Sequence, residues 1–250
     1  MGNGRIDASK VINTVTSRLS NECIQYIILN MYRNREEIKS IIKLAEENYK
    51  ASKLLKDNNF IAFSIFHLQQ ATELLTKFLL IVYGIEIPKT HDQGELISKL
   101  INEIKNTPCS KLIFEPELEL LLELVDEIKE ISKDRINFVK SDGFIRYLKA
   151  AEFSENLFNA IMNEDTGLSY NQNKKALQVI LRFAFIVPEI LFIGIILYPH
   201  EAYTRYPERD ISPDNYNKKE IPIAKDEYYD RISSIIENAI MITKEMFNKL

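Results

Sequence analysis

The chain has 250 residues, 46% hydrophobic and 27% charged, a balance that excludes a disordered or low-complexity chain. Its net charge of −4, from 32 basic and 36 acidic residues, argues against a broad nucleic-acid or membrane surface and leaves room for a local basic site. Glycine (7) and proline (8) are scarce, and the long stretches between them suit helices.

This length allows one large domain or two small ones. The opening MGNGRIDASK has no apolar run, so no signal peptide is expected, and Ile6 stands where a myristoylation site needs Ser or Thr. Cys23 and Cys109 show no metal or redox spacing. No disulfide framework is expected, and a reducing compartment, the cytoplasm, is the default.

Residues 8–31 carry a helical stripe of Ile12, Val15, Leu19, Cys23, Ile27 and Met31, spaced by three and four. Residues 33–55 repeat it with Ile38, Ile41, Ile42, Ala45, Tyr49 and Ser52, before a break at Asn58-Asn59. The next helix covers 60–83. Phe63, Phe66, Ala71, Leu74, Leu75 and Phe78 are expected on its buried side with His67 inside that arc, and Gln70, Glu73 and Lys77 form a polar stripe at its edge. Gly84 suits the residue that ends it. Thr90 and Gln93 fit a capping box for a helix over 92–104.

Pro116 suits the first turn of a helix that Leu118, Leu121, Leu122, Val125, Ile128 and Ile131 carry to about 138. Ser141-Asp142-Gly143 breaks the chain, and 144–162 is again amphipathic. Residues 176–198 are the most apolar stretch and long enough to span a bilayer. Arg182, Glu189, Pro188 and Gly194 interrupt it, and one charge at the bilayer centre costs about 2.5–3.5 kcal/mol. A core or oligomer-interface helix is the preferred reading over a membrane span. Residues 200–219 form a polar loop with Tyr203, Arg205, Tyr206, Pro207 and Arg209. The last helix, 226–248, has a seam of Tyr228, Ile232, Ile235, Ala239, Ile242 and Met246.

Four features stand in order: a helix ending before Asn58-Asn59; His67-Leu-Gln-Gln-Ala-Thr-Glu73 with Lys77 one turn on; Pro88-Lys-Thr-His91-Asp92 leading to Leu96; and Thr204-Arg-Tyr-Pro207 before a closing helix. Together they resemble the HEPN family. The resemblance implies an all-α, up-and-down helical bundle with additional helices: an extra N-terminal helix over 1–35, then a bundle over 36–250 with a helical insertion at about 141–198. It also implies frequent homodimers, pairing with a nucleotidyltransferase-like protein in one chain or as a toxin–antitoxin couple, and in some members metal-independent endoribonuclease activity. The ribonuclease members share an Arg and a His with four to six residues between them. The corresponding positions before His67, His91 and His200 read Phe-Ile-Ala, Gly-Ile-Glu and Ile-Gly-Ile, so that pattern is absent.

Candidate chemistry is therefore sparse. His67 is expected to be a core residue whose nitrogens find partners. Glu73 and Lys77 fit a local i,i+4 pair beside a buried amide, the preferred reading, with a polar pocket of Gln70, Glu73 and Lys77 as the alternative. His91 either caps the next helix or helps its N-terminus hold a phosphate. Arg205 and Arg209, with Tyr203 and Tyr206, either grip phosphate and stack on a base or form local salt bridges in a solvated turn. The ligand-binding candidates are thus Arg205, Tyr206, Arg209, His91 and Lys77; His200 and Arg205 are the only catalytic candidates. No metal-site spacing, phosphate loop, nucleophile motif or dinucleotide fingerprint is present, so no cofactor is expected. The expected function is a nucleotide- or RNA-binding or partner-docking module. The alternatives are an endoribonuclease with a variant site and a membrane-associated helical protein.

Overall fold

In a computed structural model, residues 21–110, 115–163, 172–208 and 210–249 are described. Ten α-helices run along them: α1 Asn21–Arg33, α2 Arg35–Asp57, α3 Ile61–Val82, α4 Gln93–Ile104, α5 Glu115–Lys133, α6 Arg135–Lys140, α7 Ile145–Asn163, α8 Gln172–Leu197, α9 Pro213–Asn217 and α10 Asp226–Lys249. No described residue belongs to a β-strand, and Glu208 and Ile211 form one isolated antiparallel bridge. The all-α reading holds. The predicted helix over 8–31 is seen from Asn21 onward; its earlier part lies outside the described residues.

The bundle is built around α3, which packs against α1, α2, α4, α8, α9 and α10. Such a helix must be apolar on most sides, and α3 is: Ile61, Ala62, Ile65, Leu68, Ala71, Leu75 and Phe78 through Val82 are all buried. Its outward stripe is Phe63, Phe66, His67, Gln70, Leu74 and Lys77. The expected arc was therefore rotated. Phe63 is 44% exposed, and Glu73, expected at the edge, is buried. The helix ends at Gly84, whose φ of +66° is one that a side chain disfavours.

Helix α2 runs antiparallel beside α3, with Ile38, Ile41, Ile42, Ala45, Tyr49 and Ser52 buried as its stripe implied. A buried hydroxyl cluster joins these two helices to α10. Tyr229 Oη lies 2.7 Å from Ser52 Oγ and also bonds Ser64, whose hydroxyl donates to the Ser52 carbonyl at 2.8 Å. The α10 seam holds: Ile232, Ile235, Ala239, Ile242 and Met246 are buried.

Helix α8 crosses α4 closely at Gly194. A Cβ there would meet Gln93 Nε2 and Ile97 Cδ1, each at 2.7 Å. Its residues 189–197 are buried against the bundle. No described helix is long and apolar enough to cross a membrane.

Several local expectations are corrected. The α4 N-cap is Asp92, whose carboxylate accepts from Glu95 N at 3.1 Å, while Gln93 is buried and donates its amide to Thr76 Oγ1 at 2.8 Å. Thr90 Oγ1 instead accepts from Asp92 N at 3.0 Å. The single helix expected from Pro116 to about 138 is split at Asp134, whose side chain caps α6. The polar loop contains α9, capped by Ser212 and Asn215. Cys23 and Cys109, expected to be free, form a disulfide, because α1 lies across the end of α3 and brings Cys23 to the turn that follows α4.

Candidate functional site

The outward stripe of α3 meets two other segments: the loop from Gly84 to Asp92, and the turn from Tyr198 to Tyr206 that ends α8. Glu73 is the centre. Its side chain is 3% exposed, and its Oε1 accepts from Lys77 Nζ at 2.6 Å and lies 3.2 Å from His91 Nδ1. Gln70 Nε2 approaches the other oxygen at 3.4 Å. A buried carboxylate is tolerated only when its charge is answered and its lone pairs are filled, and here Lys77 does most of both. The same contacts fix Lys77 and His91. Lys77 is held in a partly buried position, while the His91 ring remains 84% exposed.

The turn after α8 supplies the second part. Tyr198, Pro199 and His200 form a 3₁₀ turn, and Thr204 N donates to the His200 carbonyl at 3.1 Å. Arg205 then lies on α3, its guanidinium 4.8 Å above the Phe66 ring and 5.3 Å from that of Tyr206. Its Nη2 donates to Glu201 Oε1 at 2.8 Å, and its Nε to the Glu201 carbonyl at 3.3 Å. Tyr206 is 63% exposed. Partial burial raises the Glu201 carboxyl above its ordinary range. Arg205 opposes that shift, and the nearby carboxylates of Glu73 and Asp92 reinforce it.

A third cation comes from α6. Arg135 lies 4.5 Å from the centroid of the Tyr198 ring, donates to the Tyr198 hydroxyl, and approaches Asp92 Oδ2 at 3.8 Å. Sequence reasoning missed it, because nothing in Lys133-Asp134-Arg135 distinguishes it from an ordinary solvated helix end.

Of the five expected ligand-binding residues, Lys77 and His91 meet at Glu73, and Arg205 and Tyr206 meet beside Phe66, with Glu201 coupled to Arg205 on one side and to the charges of Glu73 and Asp92 on the other; Arg209 lies outside the described residues. His200 is in a different environment. It is 1% exposed, its Nδ1 lies 2.8 Å from the Tyr216 hydroxyl, and burial pushes its pKa down to about 3. An imidazole so placed pins the turn from inside. His67 is half-buried on the outward stripe, with Nδ1 2.8 Å from Asn48 Oδ1, and burial lowers its pKa.

The assembled site is a rim of three cations and an imidazole, interleaved with Glu73, Asp92 and Glu201. Each cation retains N–H donors beyond those its carboxylate uses. Arg205 and Tyr206 add a planar, partly exposed surface. Such a rim can bind an anion by charge-assisted hydrogen bonds and stack a flat ring beside it. No group of three or more His, Cys, Asp or Glu placed to hold a metal occurs among the described residues.

A family model for the HEPN domain matches residues 38–164, just over half of the chain. No curated protein and no solved structure matches it.

Proposed function

The chain belongs to the HEPN domain family, and from that premise we propose that it is a nucleotide- or RNA-binding helical module. Lys77, Arg135 and Arg205 take the phosphate, His91 adds a donor, and Tyr206 offers its ring to a base. One observation carries this reading: the buried carboxylate of Glu73 holds Lys77 and His91 beside the turn that places Arg205 on Phe66. A solvated ion-pair surface would not need a carboxylate that is 3% exposed at its centre.

The alternative of an endoribonuclease using His200 and Arg205 draws no support from the surroundings of His200. A general base must reach the proton it removes, and this imidazole is enclosed beside Tyr216. The expected pairing with a second copy or a nucleotidyltransferase-like partner is part of the same proposal. It is supported by the exposed Ile28, Leu29 and Tyr32 on α1.

The test is a fluorescence-anisotropy titration with a labelled single-stranded oligoribonucleotide, with mononucleotides as competitors. Arg205→Ala and Lys77→Ala should each weaken binding about tenfold, the scale of one charge-assisted contact. Lys50→Ala, an exposed pair with Glu46 elsewhere on α2, should leave it unchanged. Absence of binding by wild type, or equal affinity in all variants, would remove the proposal.

A further inference from the structure

We propose that the Cys23–Cys109 disulfide is a redox-operated clasp that holds α1 on the end of the central helix and is opened by a dithiol. These are the only two cysteines of the chain. Both are buried, at 1% and 0% exposure. The bond joins α1 to the turn after α4 across 86 residues of sequence.

Along its described residues, helix α1 has other holds besides the disulfide. Its described part, Asn21–Arg33, is amphipathic and owes its stability to the face it packs on the bundle. Its buried positions are Cys23, Ile27, Asn30 and Met31, while Gln25, Ile28, Leu29, Tyr32 and Arg33 face outward. Two hydrogen bonds attach it to the last carbonyls of the central helix and its cap. Tyr26 Oη donates to the Tyr83 carbonyl at 3.1 Å, and Asn30 Nδ2 to the Val82 carbonyl at 3.3 Å. These carbonyls have no partner within their own helix, so α1 supplies their cap. The contact is close enough that a Cβ on Gly84 would collide with Tyr26 Oη and lie 2.9 Å from Asn30 Nδ2. On the other side, Cys109 is fixed by a Thr107 turn: Thr107 Oγ1 donates to the Ile104 carbonyl at 2.7 Å and accepts from Cys109 N at 3.2 Å.

Opening proceeds by thiol–disulfide exchange. A thiolate of the dithiol attacks one of the two sulfurs and the S–S bond breaks. The other cysteine leaves as a thiolate and takes a proton. The second thiol of the reductant then displaces the mixed disulfide. Both cysteines end as thiols, and the reductant ends as a disulfide. Because both sulfurs are buried, attack waits for α1 to lift. Once the bond is cut, the covalent hold on α1 is its link through Asn34 to α2 at the far end of the helix, and the caps on Val82 and Tyr83 loosen. The loop that starts at Gly84 carries His91, so opening also reaches the candidate site. This last link rests on the binding reading above; the clasp itself does not.

The experiment is hydrogen–deuterium exchange on the full chain before and after dithiothreitol, with alkylation and intact mass reporting the thiols. Before reduction, the denatured chain should alkylate at neither cysteine. After it, peptides over 21–33 and 81–91 should exchange about tenfold faster or more, while 65–75 stays protected. The double variant Cys23→Ala/Cys109→Ala should reproduce the faster exchange without reductant. Tyr26→Phe and Asn30→Ala should speed native-state reduction, which a bond already open to solvent would not show. Two free thiols in the untreated chain, or unchanged exchange at 21–33 in both the reduced chain and the double variant, would overturn the clasp. RNA affinity measured on the same samples separates the two proposals: altered exchange with unaltered affinity retains the clasp and removes only its link to the site.

Discussion

The guanidinium of Arg205 lies 4.8 Å above the ring of Phe66, fastening the turn after α8 to the outward stripe of the central helix. This contact makes one surface out of segments 139 positions apart in the chain (205 minus 66). A cation over an aromatic ring contributes about 0.5–1 kcal/mol at a partly exposed site. In a double-mutant cycle, Arg205→Ala and Phe66→Ala should therefore couple by about that amount in urea unfolding. Phe66→Ala should also weaken RNA binding although it removes no charge, because Arg205 loses its shelf. Coupling near zero would mean that the turn is held elsewhere.

Lys77→Met leaves Glu73 buried without its ammonium. The cost should be about 2 kcal/mol, below that of breaking a fully buried pair, because Lys77 keeps 16% exposure. Glu73→Gln should cost less, since the amide keeps an acceptor for Lys77 and the ammonium left without its carboxylate, 16% exposed, can still reach water, whereas the carboxylate, 3% exposed, cannot. Chemical denaturation of both variants reads the order directly, and the reverse order would remove Glu73 as the centre of the network.

Burial pushes the His200 imidazole from an ordinary value of 6.5 down to about 3. Between those values the unfolded chain binds a proton that the folded chain refuses. The contribution is complete above the unfolded value and is lost as pH falls toward the folded one, at up to about 1.4 kcal/mol per pH unit. His67, also lowered by burial, acts in the same direction. Stability against urea should fall from pH 6.5 downward, and His200→Gln should flatten the slope. Identical slopes for wild type and variant would contradict the placement of His200.

Much of this architecture was legible because it rests on local period. The stripes of α2 and α10, the stop at Gly84 and the break at Asn58-Asn59 follow from residue spacing and turn chemistry. The errors arise where tertiary packing decides. The stripe through Ile131 and Phe138 runs on across Asp134, so the break is visible only in the cap that Asp134 makes for Asn137. Glu73 and Phe63 changed sides because α3 is enclosed by several helices, and a helical wheel does not say which flank stays open. His200 looked exposed in a polar stretch. Its burial depends on Tyr216 from α9, a five-residue helix too short for periodicity to reveal. Of the residues proposed for the site, Lys77, His91, Arg205 and Tyr206 stand in the segments that carry the family resemblance. Arg135 and the Cys23–Cys109 pairing had no sequence signal, since only the fold brings those positions to their partners.

The Tyr229 hydroxyl is the junction of α2, α3 and α10. Tyr229→Phe removes the partner of Ser52 and Ser64 together and should cost about 1–3 kcal/mol, the range for stranding buried polar groups. RNA affinity should remain unchanged, because Ser52, Ser64 and Tyr229 are buried between the helices and offer nothing to a ligand. A loss of affinity without a loss of stability would reverse that assignment.

The most direct measurement is the salt dependence of RNA binding. A single-stranded ligand that engages Lys77, Arg135 and Arg205 through its phosphates should give a slope of log K against log salt of about −2, at about −0.7 per contact. Arg205→Ala should bring it to about −1.4. A slope that Arg205→Ala, Lys77→Ala and Arg135→Ala all leave unchanged would contradict the placement of the ligand on this rim.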